Sequence, residues 1–424
     1  MVWLSSNKLP QRTIRWLTLT VWVLTVAAGV TLVLRVQNAL QSPLNVFPTY
    51  YTAAKLITNG EDISRFYDDV WFRERAAEFE PRAIEIYNAN TPLMGFFFLP
   101  VAQLSYVSAR YLTSALVFAA LLAAVYLMAM ELGVTGAWRS AAFFAIFAAP
   151  TTLVNLSHAQ VYPLVLLILV LAWRAWRKHA EGIGGILIGI ALAFKTAGLF
   201  LLPLMVLEKR WRALLAVIFI IGGLILVTFP IVGRDGWSAY LHYALGLLER
   251  PRLSVASYWS VTGFARNLFS YNVRTNPDPY IDAPALALSI EVLLSLVFFI
   301  AAAKVTTVTK DRDVTFALFM ILSLILVPVT NRTTMCLGFL PAFVIFSRIR
   351  NRIVSPLGAW FFLGGFLSFA PGVERVRVLA DWGGPIFLYS RFFGLIVLMG
   401  VLMALGIEDK KSSVSRPTGD AVKA

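Results

Sequence analysis

Apolar residues fall along this chain in long unbroken blocks, not in alternation. The blocks run Leu17–Leu34, Val107–Met130, Ser140–Leu156, Val161–Trp173, Ala213–Val232, Pro284–Ala303, Val314–Val329, Thr333–Phe346, Val354–Ala370 and Pro385–Leu405. Segments of this kind bury their backbone polar groups in lipid only as helices, because those groups must then bond internally. Alternating runs, the mark of a transmembrane β-barrel, are missing from this pattern. The first block follows Lys8, Arg12 and Arg15 and ends at Arg35 without a small-x-small cleavage site. It reads as a retained anchor, not a cleaved signal peptide.

One stretch departs from the pattern. Ile183–Leu207 carries Lys195 at its middle and basic clusters on both flanks, Arg174/Arg177/Lys178 before it and Lys209/Arg210/Arg212 after it. Two short helices that rise, turn at Lys195-Thr196 and return would keep both clusters on one side. With that hairpin, the remaining basic clusters fall on the same side, which the positive-inside rule makes cytoplasmic. The expectation is an all-α polytopic integral membrane bundle of about twelve membrane helices. Both termini are cytoplasmic and the chain is multi-pass in the plasma (inner) membrane. Residues 1–16 form a cytoplasmic N-terminus, 17–407 the membrane domain, and 408–424 a polar tail expected to be disordered.

Composition agrees with a membrane protein. Of the 424 residues 58% are apolar and only 14% charged, too few polar groups to wrap soluble cores. The net charge of +14 reads as loop charge that sets orientation, not as a nucleic-acid surface, and no nucleic-acid partner is expected. One cysteine, Cys336, excludes an internal disulfide and a cysteine-built metal site, and the three histidines are too scattered to suggest zinc; no metal or cofactor is called for.

Two outer segments exceed ordinary connector length, residues 37–90 and 233–283. The first holds eight acids against five bases; the second is rich in aromatics and arginine. Within the first, Asp62, Asp68 and Asp69 are candidate general bases, with Asp68 equally able to cap the helix after it. In the second, Tyr258 and Trp259 fit sugar stacking or interfacial anchoring. His158 and Gln160 stand at an outer helix junction. There Gln160 would bond a sugar, or the two would cap a turn. Lys195 at the hairpin tip meets an anionic headgroup or snorkels. Arg266 and Arg332 would clamp phosphate or anchor to lipid headgroups. Glu291 and Arg391 lie inside expected spans, where an isolated charge is costly. They should face a cavity or pair with each other.

Several short motifs in order resemble glycosyltransferase family 87. Val46-Phe47-Pro48-Thr49-Tyr50-Tyr51, then Asn59-Gly60 and Phe66-Tyr67-Asp68, is similar to the family's start, so Asn45 and Tyr50 join the candidate substrate-binding residues. Asn90-Thr91-Pro92-Leu93 with Leu99-Pro100-Val101-Ala102, Ala159-Gln160-Val161-Tyr162, Gly185 to Pro203 with Phe194-Lys195-Thr196, and Ser260-Val261-x-Gly-Phe264-x-Arg266 are similar to later family segments. The resemblance implies a GT-C-like fold and inverting transfer of a sugar, mannose by family, from a polyprenyl-phosphate donor to a lipid or glycan acceptor, with membrane lipids as surroundings. It also implies that Lys195 meets the donor phosphate. The family's Asp before its Phe is Val46 here, beside Asn45, and neither side chain can act as a general base. A transporter or flippase of polyprenyl-linked sugars, or a family member that only binds, is the alternative.

Overall fold

The computed structural model describes residues 11–40, 46–83, 86–88, 90–246, 251–350, 353–370 and 388–414. Among these residues every regular element is helical, apart from an isolated bridge between Asn272 and Asn276. In chain order the helices are α1 (Gln11–Leu40), α2 (Phe47–Thr58), α3 (Asp69–Ala77), α4 (Leu93–Phe97), α5 (Leu99–Ala102), α6 (Tyr106–Glu131), α7 (Gly136–Ala148), α8 (Pro150–Ser157) and α9 (Tyr162–Arg177). They continue as α10 (Glu181–Phe194), α11 (Leu201–Leu207), α12 (Trp211–Gly246), α13 (Val261–Phe269), α14 (Pro284–Val308), α15 (Arg312–Leu326), α16 (Phe339–Ile349), α17 (Pro356–Phe369) and α18 (Ser390–Val414).

Five helices, α1, α6, α12, α14 and α18, are long and apolar enough to cross a membrane. The α7–α8 pair makes a sixth if its 58° bend lies within one span. The chain is therefore a multi-pass helical membrane protein. The block Ser140–Leu156, expected as one helix, breaks because Pro150 has no N–H to continue the ladder. Thr152 Oγ1 donates to the Ile146 carbonyl at 2.6 Å across the break. The Lys195 hairpin is present as two short helices, with α10 ending at Phe194 and Lys195 itself in extended backbone. Gly185 and Gly189 on α10 face α12 so closely that a Cβ would meet the Ala213 carbonyl oxygen at 2.2 Å and Ile220 Cγ2 at 2.2 Å. Small residues spaced four apart let two helix backbones approach in this way.

Two expectations change. The outer segment expected to begin at Gly233 is helical as far as Gly246. Pro230 removes a ladder bond, and Gly233, at φ 65°, redirects the chain before the helix resumes. The tail expected from residue 408 begins as helix too, since α18 runs to Val414; residues 415–424 lie outside the described residues.

Basic clusters from distant parts of the sequence gather at one end of the bundle. Arg177 contacts Asp313 at 3.1 Å and Glu131 at 3.2 Å, Arg174 reaches Glu131 at 2.5 Å, and Arg348 reaches Asp313 at 2.9 Å. Trp173 Nε1 donates to Asp313 at 3.0 Å. Arg210 stacks 3.8 Å over the Trp176 ring. These contacts pin the C-termini of α6, α9 and α16 to the N-terminus of α15.

At the other end, residues 46–83 form a folded cap. Helix α2 is buried along nearly its whole length, and Asp68 caps α3 by accepting from Val70 N and Trp71 N at 3.0 and 3.1 Å. An aromatic cluster of Phe66, Phe72, Tyr67 and Tyr87 holds the cap together. The redirected part of α12 packs under it. Tyr240 and Tyr243 lie 5.9 and 5.6 Å from the Tyr67 ring, and Tyr243 donates to Asp69 at 2.9 Å. The two long polar segments thus fold on each other.

Candidate functional site

A cavity of about 620 Å³ opens where this cap meets the bundle. The cap contributes Val46, and the chain just after it Asn88 and Asn90; the later polar segment, residues 233–283, contributes Tyr240, Ser257, Tyr258 and Trp259. The bundle supplies His158, Gln160, Tyr162, Lys195 and the turn from Thr330 to Thr334. Helices α9, α10 and α15 each run from the charged end to this cavity, so the two lie at opposite ends of the same helices.

Lys195 stands at the cavity because α10 stops one residue earlier. Its ammonium donates to Asn90 Oδ1 at 2.5 Å and lies 5.3 Å and 5.7 Å from the Tyr50 and Tyr162 ring centres. Thr91 Oγ1 donates to the Ala193 carbonyl at 2.8 Å, clipping the Asn90 segment to the end of α10. The Tyr50 hydroxyl in turn donates to Gln160 Oε1, and Phe98 stacks on the Tyr50 ring. The motifs around Tyr50, Asn90, Gln160 and Lys195, far apart in sequence, converge as two hydrogen-bonded pairs joined where Lys195 lies over the Tyr50 ring.

His158 and Gln160 are presented by a tight turn after α8. Ala159, between them, is buried and takes φ 45°, a left-handed conformation that a residue with a Cβ adopts only at a cost. The Gln160 N–H donates to the Asn155 carbonyl at 2.8 Å, and Asn155 Nδ2 bonds the Thr333 carbonyl at 2.9 Å. This ties the turn to the loop that carries Arg332. Asn331 Oδ1 accepts from Thr333 N at 3.0 Å and from Thr333 Oγ1 at 2.7 Å, shaping that loop. Burial, and then the nearby Arg332 and Arg110 guanidinium groups, hold the His158 imidazole below its usual pKa.

Tyr258 is fixed by the α13 start. Ser260 caps that helix through Gly263 N at 3.1 Å and donates to the Pro328 carbonyl at 2.8 Å. Gly263 is needed there, because a Cβ would sit 2.1 Å from the Tyr258 carbonyl oxygen.

Not every candidate residue meets at this cavity. Asp62 and Asp68 are exposed helix caps, Asp62 accepting from Ser64 N at 2.8 Å. Asp69 holds Tyr243. None of the three lines the cavity. Arg266 and Glu291 pair with each other at 3.3 Å, and Thr262 Oγ1 donates to Glu291 at 2.6 Å. Glu291 therefore takes these partners in place of Arg391. Arg391 is not deep in a span but at the second residue of α18. There it is buried, donates to the Ser368 carbonyl at 2.5 Å and lies 4.8 Å over the Trp259 ring. Asn45 lies outside the described residues. Asn90, Tyr162, Tyr240 and Asn331 were missed as site residues. Asn90 sat inside a quoted motif, and Asn331 in a polar run between two apolar blocks, so both had a signal. Among the described residues the cavity lining holds two cations and no carboxylate.

A multi-pass helical bundle with a polar, cationic chamber at one end is the class that this fold and site define. The family model for glycosyltransferase family 87 matches residues 88–328, more than half of the chain, and the protein belongs to that family. By family it is a membrane glycosyltransferase. The matched residues include Asn90, His158, Gln160, Lys195 and Tyr258. No curated protein and no solved structure matches the chain.

Proposed function

We propose that this protein transfers a sugar from a polyprenyl-phosphate donor to a lipid or glycan acceptor on the extracytoplasmic face of the plasma (inner) membrane. Mannose is the sugar that the family resemblance implies. The observation that carries the reading is the convergence of Lys195, Asn90, Gln160 and Arg332 on one cavity above an apolar bundle, with Tyr50 behind them bonded to Gln160. The bundle is GT-C-like, with about twelve membrane helices once the shorter ones are counted. The basic end is cytoplasmic by the positive-inside rule, which puts both termini there and the cavity outside.

The acceptor hydroxyl attacks the anomeric carbon, and the bond from that carbon to the phosphate oxygen breaks with inversion. The polyprenyl phosphate leaves with the bonding electrons. Lys195 and Arg332 neutralise the charge that grows on it, where water is scarce and such donors act most strongly. Gln160 and Tyr258 contact the sugar. The prenyl chain lies among the membrane helices, which offer the apolar surroundings it needs.

A second reading has one observation in its favour. Val46 lines the cavity where the family's resemblance expects an Asp. A protein without a base there would bind or move the lipid-linked sugar without breaking it. Purified protein incubated with labelled polyprenyl-phosphate sugars and a panel of acceptors separates the two. A glycosylated acceptor and released polyprenyl phosphate support transfer. Unaltered donor that equilibrates across proteoliposomes, with no product, supports transport and refutes the transferase reading.

A further inference from the structure

We infer that His158 is the general base of the transfer, taking the proton from the acceptor hydroxyl as its oxygen attacks the anomeric carbon. The inference rests on the transferase reading above and assigns the one role that reading leaves empty.

The argument is chemical and geometric. The attacking hydroxyl must lose a proton, and a group that accepts it has to be unprotonated near neutral pH and lie at the reacting centre. Val46 cannot accept one. Among the described lining residues, Lys195 and Arg332 are cations, the tyrosines Tyr162, Tyr240 and Tyr258 are neutral acids, and carboxylates are missing. His158 is the remaining titratable side chain in that lining. Its ring takes no hydrogen bond from the described residues, so a ring nitrogen is open to a substrate hydroxyl.

Its placement fits the role. His158 is two residues from Gln160, whose side chain joins Tyr50, whose ring lies 5.3 Å from the Lys195 ammonium. The turn that presents both residues holds Ala159 at φ 45°. This is the left-handed close of helix α8, with Ala159 N donating to the Leu156 carbonyl at 3.2 Å and Gln160 N to the Asn155 carbonyl at 2.8 Å, and it fixes where the two side chains leave the backbone. The charged groups facing His158 are Arg332, from the loop before the turn Thr334–Gly338, and Arg110 of α6. On α1, Arg35 is exposed, off the face that brings Leu32 to Leu156 of α8. Arg139 of α7 lies near that helix's start, at its far end from α8. Two cations and burial favour the neutral imidazole, the form that accepts a proton.

In the balanced step, the hydroxyl O–H bond breaks and its proton goes to a ring nitrogen of His158. The new C–O bond forms, and the old anomeric C–O bond breaks towards the phosphate. The imidazolium then releases its proton to water.

The test is kcat against pH for full-length protein with labelled polyprenyl-phosphate mannose and an alkyl mannoside acceptor. Wild type, His158→Gln and His158→Asn are compared, with donor binding and thermal unfolding in detergent measured alongside. The sign follows from the lowered pKa. Wild type should lose rate only as pH falls below the ordinary histidine value of about 6.5. The variants should keep donor binding and melting temperature, lose about 10²-fold or more in kcat, and show no acid limb in that range. Should one variant unfold, the other and the rescue of His158→Gly by added imidazole carry the test. A folded variant that turns over at the wild-type rate with an unchanged acid limb overturns the assignment and leaves the transferase reading intact. Absence of turnover by wild type with every donor sinks the transferase reading, and the assignment with it.

Discussion

The Lys195 ammonium donates to the side-chain oxygen of Asn90 at 2.5 Å, joining positions 105 residues apart. The bond helps to orient the cation, which also lies over the Tyr50 and Tyr162 rings. Lys195→Ala should lower kcat/KM for the lipid-phosphate donor by about 10²-fold or more, the scale of losing one charge-stabilising donor. Asn90→Ala, which leaves the charge but removes one of its holds, should cost about tenfold or less. Equal losses in steady-state assays of the two variants would contradict this division of labour.

Asp62 and Asp68 use their carboxylates within their own segment, Asp62 accepting from Ser64 N and Oγ and Asp68 from Val70 N and Trp71 N. Asp62→Asn and Asp68→Asn should therefore transfer sugar at rates within about twofold of wild type, since Asn caps as well as Asp. Asp68→Ala should lower stability by about 1 kcal/mol, read from thermal unfolding. A large drop in turnover for either Asn variant would move the reacting centre towards the cap.

Val46 lines the cavity, so a carboxylate placed there would reach it. Val46→Asp should raise the transfer rate of a His158→Gln variant. It should also carry the acid limb of the pH profile down towards the carboxylate range of about 4. Rate against pH in the double variant is the measurement.

Gly185 touches no cavity residue, yet it sets the seat of α10 on α12, and α10 ends one residue before Lys195. A side chain there must push against the Ala213 carbonyl 2.2 Å away. Gly185→Leu should shift α10, lower the melting temperature and reduce transfer. Gly182→Leu, where nothing lies within 4 Å, should do neither.

Glu291 and Arg266 form a half-buried pair near the start of α14. Glu291→Ala should destabilise the protein by roughly 1–3 kcal/mol, because it removes the carboxylate that the Arg266 guanidinium and the Thr262 hydroxyl both reach. Replacing both charged residues should cost less than the sum of the single changes. A double-mutant cycle on thermal unfolding decides this.

Much of the architecture was legible in the residues. Lengths of apolar runs located α6 and α14 closely, and the charges flanking Lys195 forced the hairpin into view. Where proline or glycine redirects a helix, the run length misled. Pro150 breaks one apolar block in two, and Gly233 turns α12 while letting helix continue. Both residues carry the local cause, but whether a helix ends or merely bends depends on what packs beyond the break. For Gly233 that partner is the Tyr67 cluster, supplied from far upstream.

The candidate site divides the same way. Hydropathy and charge order alone determined a multi-pass helical chain with two long polar segments and a basic end, because lipid permits only internally bonded backbone. Tertiary structure decided which polar groups share the chamber. It brought Lys195 to Asn90 and Tyr50 to Gln160, sent Arg266 to Glu291, and kept the cap acids outside, since charge pairing and side-chain hydrogen bonding act over a few ångströms of space that sequence distance does not measure.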